Sequence, residues 1–170
     1  MPVLKPFDPY PQAVVPDTPP TKLTIEKLRF LGAVEFGSRA LGVDKGNADY
    51  DFAMLRTVFD KLVEGDTTTE IHWADVGSYF KIVPAFAKCS MVVTYTTAKT
   101  DILLFERQSD LDIIAKSVED LKALPRYMVV NKQRRVALYQ EALLRNGFVY
   151  SNWKQRLRYL PMRIVNLFKA

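Results

Sequence analysis

Between Asp49 and Leu55 the chain reads Asp-Tyr-Asp-Phe-Ala-Met-Leu, two acids one residue apart leading into an apolar run. The run reads as a strand, in which alternate residues share a face. Asp49 and Asp51 then point the same way, while Tyr50 and Phe52 turn to the core. Two carboxylates on one face repel each other unless a cation lies between them. A hard divalent ion, magnesium or manganese, is the natural partner of such oxygen ligands.

What precedes this run fits the same chemistry. Phe30 to Phe36 reads as a strand that ends at Gly37-Ser38, and ten residues separate Ser38 from Asp49. Glycine lets the backbone turn sharply and approach a ligand. Backbone amides there, the Ser38 hydroxyl and the Arg39 guanidinium are suited to hold phosphate oxygens. Gly37, Ser38 and Arg39 are therefore the candidate nucleotide-binding residues. The intervening loop carries Gly42, Asp44, Lys45, Gly46 and Asn47.

A third acid follows later. Met91 to Thr96 and Thr100 to Glu106 are rich in β-branched and aromatic residues, and Thr97-Ala98-Lys99 links them, a pattern that predicts an antiparallel hairpin. Asp101 opens the second strand of that hairpin. Placed beside the Asp49–Asp51 strand, it becomes a third ligand, and three carboxylates can hold two divalent ions roughly 3.5–4 Å apart.

The remaining elements are helices and a proline-rich start. Seven of the ten prolines lie in the first twenty residues, which excludes helix and central strand there and predicts an extended arm. Thr21 or Thr24 is placed to cap a short helix through about Arg29. Thr57 to Glu64 reads as a helix stopped at Gly65. Asp66 to Ala87 is the least legible stretch, with Gly77 to Val83 either helix or strand. Ser109 to Leu124, with Ser109 as cap, and Asn131 to Arg145, stopped at Gly147, read as amphipathic helices. The tail holds Trp153, Tyr159 and Phe168 and reads as further helix. The expected class is α/β (α+β), a central mixed sheet with flanking helices and a helical, basic C-terminal part.

Gly37-Ser38-Arg39-Ala40 followed by Asp49-Tyr50-Asp51-Phe52 resembles the signature of the DNA polymerase β-like nucleotidyltransferases, in particular its small stand-alone members. The likeness spans roughly Phe30 to Glu106. It implies a nucleotidyltransferase core over residues 21–125, between the arm of residues 1–20 and a basic part over residues 126–170. It also implies transfer of a nucleoside monophosphate from a triphosphate, ATP above all, to an acceptor hydroxyl with release of pyrophosphate. Asp49, Asp51 and Asp101 would be both catalytic and metal-binding, with Mg2+ or Mn2+ as cofactor. Family members commonly carry serine directly before the first aspartate, where this chain has Ala48; that serine supports the loop rather than the metal. RNA ends, protein side chains, small antibiotics and free nucleotides all remain open as acceptors. Two alternatives stand beside this reading: a catalytically inactive nucleotide- or nucleic-acid-binding module, and a toxin–antitoxin-type member that modifies a protein partner.

Charge bears on the partner. From Arg126 onward ten basic residues face the single acid Glu141, a net +9 that leaves −4 over the first 125 residues. Such asymmetry suits an anionic partner, and Arg156 and Arg158, interleaved with Trp153 and Tyr159, are the candidate nucleic-acid-binding residues. Alternatively, this is a solvated helix face. The single cysteine, Cys89, allows no internal disulfide and no thiolate zinc site. His72, the only histidine, is expected to be structural or exposed. Trp73 is expected in the core or at a hydrophobic rim. No run is long and apolar enough for a bilayer span and no signal-peptide pattern opens the chain, so the expectation is a cytoplasmic protein without membrane contact.

Overall fold

The computed structural model describes residues 22–76, 89–95 and 98–149. The proline-rich arm, the 77–83 segment and the tail with Trp153, Arg156, Arg158 and Tyr159 lie outside the described residues.

Among these residues the chain forms a mixed α+β fold, a five-stranded sheet with six helices. In chain order they are α1 (Ile25–Phe30), β1 (Val34–Phe36), α2 (Gly37–Ala40), β2 (Tyr50–Leu55), α3 (Arg56–Val63), β3 (Ile71–Ala74), β4 (Cys89–Tyr95), β5 (Lys99–Phe105), α4 (Gln108–Lys122), α5 (Arg126–Val129) and α6 (Lys132–Arg145). The strand order is β1-β2-β5-β4-β3. Only β2 and β5 run parallel; the other neighbours are antiparallel. The β4–β5 hairpin expected from sequence is present.

The alternation of β2 and β5 divides the core into two layers. Phe52, Met54, Ile102 and Leu104 pack with Val92 against Leu23, Ile25 and Leu28 around α1 and against Phe59 of α3. On the opposite face Ala53, Leu103 and Phe105 meet Phe36, Met91 and Val93 under Leu111, Ile114, Val118 and Leu121 of α4 and Tyr139, Ala142 and Leu143 of α6. Helix α6 therefore belongs to the same core as the sheet. Asp120 joins α4 to the end of α6 by accepting from Arg145 at 2.9 Å and Asn146 at 2.8 Å.

Several boundaries differ from the sequence reading. Phe30 closes α1 rather than opening β1; Gly32, at φ 76°, ends that turn, and the strand starts at Val34. Thr24 is the cap, accepting from the Lys27 amide at 3.2 Å. Helix α4 begins at Gln108 with Arg107 at the cap, so Ser109 lies inside the first turn. Asn131 caps α6 through the Arg134 amide at 3.0 Å, as its position suggested. Lys99 is the first residue of β5, not part of the link. Strand β3 lies in the stretch that could not be read. Its side chains expose His72 and Trp73 and bury none fully, so it has no apolar alternation to detect.

Candidate active site

The parallel pairing of β2 with β5 sets Asp51 opposite Asp101. Neighbouring strands run about 4.8 Å apart, and residues in register point to the same face. Asp101 is 4% exposed. Asp51 and Asp49, the latter just before β2, are both half-buried. The three candidate acids thus gather at one end of two central strands, on the face covered by α4 and α6.

Lys99, which the sequence reading left in the hairpin link, sits among them. Its Nζ donates to Asp49 Oδ2 at 2.8 Å and lies 3.4 Å from each carboxylate oxygen of Asp101. The hydrogen bond it donates to Asp49 raises the lysine's pKa above its ordinary value; partial burial opposes this, and the charges of Asp101 and Asp49 reinforce it. Lys99 and Asp101 are two apart on one strand, so period-two alternation was the signal that placed them together.

The Gly37 turn closes the other side of the site. Gly37 has φ 76°, and a Cβ built there would collide with Asp51 Oδ2. Both backbone conformation and space therefore call for glycine. The Gly37 amide donates to Tyr139 Oη at 3.3 Å, tying α6 to the turn across 102 residues. Burial pushes the Tyr139 phenol up to about 12, opposed by the Gly37 bond, while the negative charge of Asp51 adds to the rise. It stays protonated at neutral pH.

Arg39 has a second occupation. Its Nε donates to the Ala48 carbonyl at 2.9 Å, and its guanidinium lies 4.2 Å from the Tyr50 ring centroid. It clasps the 41–49 loop, inside which the Val43 amide donates to the Ser38 carbonyl at 3.0 Å. The loop is thereby supported next to Ala48, where the resembling family carries serine.

The other singled-out residues stand apart from this cluster. His72 is exposed, with Nε2 3.0 Å from Glu70. Trp73 is 59% exposed on β3, with the Arg56 guanidinium 5.5 Å from its ring, so it belongs to a rim and not the core. Burial pushes the Cys89 thiol up to about 12, which makes it a poor nucleophile. Among the described basic residues of the C-terminal third, Arg135 donates to the Val129 carbonyl at 2.8 Å and Arg145 pairs with Asp120. Part of that charge is spent inside the fold.

In chemical kind and placement, three carboxylates on one face of adjacent strands suit a hard divalent cation. Among the described residues, however, no group of three or more His, Cys, Asp or Glu side chains forms a ready-made cage for a metal. A cation already lies between Asp49 and Asp101, and it is the lysine ammonium. Also among the described residues, no helix is long and apolar enough to cross a membrane. No protein-family model, curated protein or solved structure matches the chain.

Proposed function

We propose that the chain is a metal-dependent nucleotidyltransferase of the DNA polymerase β-like type. It would transfer a nucleoside monophosphate from a triphosphate, ATP in the first instance, to an acceptor hydroxyl, releasing pyrophosphate. The observation that carries this reading is the in-register Asp51–Asp101 pair, flanked by Asp49 and closed by a turn whose positive φ and contact with Asp51 favour glycine.

In this reading Asp49, Asp51 and Asp101 hold Mg2+ or Mn2+. The bound metal would supply charge neutralisation at the triphosphate and a lowered pKa at the acceptor hydroxyl. The chain's own residues orient the reactants. Gly37 and Ser38 approach the phosphates closely, and Tyr139 fixes the Gly37 turn from behind. Arg39 holds the loop that brings Asp49 to the site. Asp101, the most buried of the three acids, assists removal of the acceptor proton. Positioning and charge neutralisation suffice for such a transfer, with no covalent enzyme intermediate.

A second reading draws on Lys99. A lysine that permanently neutralises Asp49 and Asp101 would suit a nucleotide-binding module that has lost turnover. One experiment separates the two: incubate the protein with each labelled triphosphate, magnesium and host lysate, beside the Asp49→Ala/Asp51→Ala double variant. The enzyme reading expects a magnesium-dependent labelled product that the folded double variant does not form. Nucleotide binding without any product favours the module, and undiminished product from the double variant rules out the site. The labelled component identifies the acceptor, including a protein partner of the toxin–antitoxin kind. Labelled RNA would direct attention to Arg156 and Arg158.

A further inference from the structure

We propose that Lys99 is a tethered counter-cation that occupies the acidic cluster when no metal is bound and must be displaced for a divalent ion to enter. This rests on the reading of Asp49, Asp51 and Asp101 as the metal-binding set, and adds to it a built-in competitor that sets metal affinity.

The argument begins with alternation. Lys99 and Asp101 are two residues apart on β5, so both side chains leave the same face of the strand. From there the lysine stem reaches across to Asp49 on the segment entering β2, placing Nζ 2.8 Å from Asp49 Oδ2 and 3.4 Å from both oxygens of Asp101. One positive charge thereby serves two carboxylates, and Asp51 stands in register beside Asp101.

An ammonium seated on Asp49 Oδ2 and beside both Asp101 oxygens competes with a divalent ion for the same lone pairs, and the repulsion between the two charges weakens the ion's hold. Leaving is easy for the lysine. Its side chain is 40% exposed, and four rotatable carbon–carbon bonds let the ammonium swing into water without moving β5. The carboxylates stay where the strand pairing holds them. Lys99 therefore stabilises the empty cluster against its own repulsion and raises the metal concentration needed to fill it.

The test is a Mn2+ titration of the full chain, followed by loss of the free-ion electron paramagnetic resonance signal, in wild type, Lys99→Met and Lys99→Arg. Removing one competing positive charge at contact distance is expected to tighten Mn2+ binding about tenfold in Lys99→Met. Lys99→Arg, which keeps the charge, should bind within threefold of wild type. Tightening of threefold or more in Lys99→Met supports the proposal. Tightening of less than threefold, unchanged binding or weaker binding overturns it. Should Lys99→Met fail to fold by circular dichroism, Lys99→Gln takes its place under the same criterion. Failure of the underlying reading looks different: neither wild type nor variant then takes up Mn2+ at millimolar concentration. Conversely, labelled product with equal Mn2+ affinity in wild type and Lys99→Met leaves the nucleotidyltransferase reading standing and removes only the role given to Lys99.

Discussion

The two ends of the β2–β5 pair follow one backbone pattern and do opposite things. Toward the C-terminal end, the face under α4 and α6 carries Ala53 opposite Leu103, then Leu55 opposite Phe105. Leu103 and Phe105 are almost wholly buried. Toward the N-terminal end, two residues back along the same strands, that face carries Asp51 opposite Asp101, with Lys99 and Asp49 beyond. Tyr139 marks the border: its ring packs with the apolar layer while its hydroxyl meets Gly37. A strand pair thus serves as core at one end and as candidate site at the other, and the rigid apolar end holds the charged end in register.

That division can be broken from either side. The largest effect is expected at the charged end. Asp101→Asn should lower transfer by about a thousandfold, worth about 4 kcal/mol of barrier. Stability to urea should stay within about 1 kcal/mol of wild type, since the repulsion relieved among the acids offsets the attraction to Lys99 that is lost. Triphosphate binding should be largely spared, because Asp49 and Asp51 remain. Loss of nucleotide binding in step with activity would show that Asp101 has been given the wrong role.

Two positions further along the strand the signs reverse. Leu103→Ala removes a wholly buried side chain and should cost roughly 3 kcal/mol of unfolding free energy. The fraction that remains folded should take up Mn2+ with wild-type affinity. A Leu103→Ala protein of normal stability but altered Mn2+ affinity would dissolve the distinction between the two ends.

The smallest effect is expected at the border. Tyr139→Phe leaves the ring in the core and deletes only the acceptor for the Gly37 amide, which should cost about 1 kcal/mol of stability. It should also raise the KM for triphosphate with little change in kcat, because the turn loses its brace while the acids stay in place. If kcat falls and KM holds, Tyr139 belongs with the reacting groups and not with the positioning of the turn.

How much of this was legible follows from how local each signal is. Asp49, Asp51 and the Gly37 turn could be read because two short-range rules, strand alternation and glycine's conformational freedom, applied within fifteen residues. Asp101 needed the further inference that its strand lies beside β2, and the register bears that placement out. Tyr139 looked like an ordinary core residue of an amphipathic helix; nothing local signals a bond to an amide 102 residues away. Lys99 was missed by one residue of boundary, since a basic residue next to Thr97-Ala98 resembles a turn more than a strand. Strand β3 escaped altogether: His72 and Trp73 face solvent, and its existence is decided by pairing with Val92 and Val93 of β4.

The crossing of β2 to β5 also bears on when the site comes into being. The β4–β5 hairpin joins residues close in sequence, whereas Asp51 meets Asp101 only after a fifty-residue excursion through α3, β3 and β4 is closed. Local contacts of the first kind form readily, and contacts across long loops wait on the loss of chain entropy. During synthesis Asp49 and Asp51 emerge long before either Lys99 or Asp101 exists to share a cation with them. The acids therefore pass through the early life of the chain on a strand whose only available neighbour is β1. Assembling the candidate site and completing the fold are, for this topology, one event.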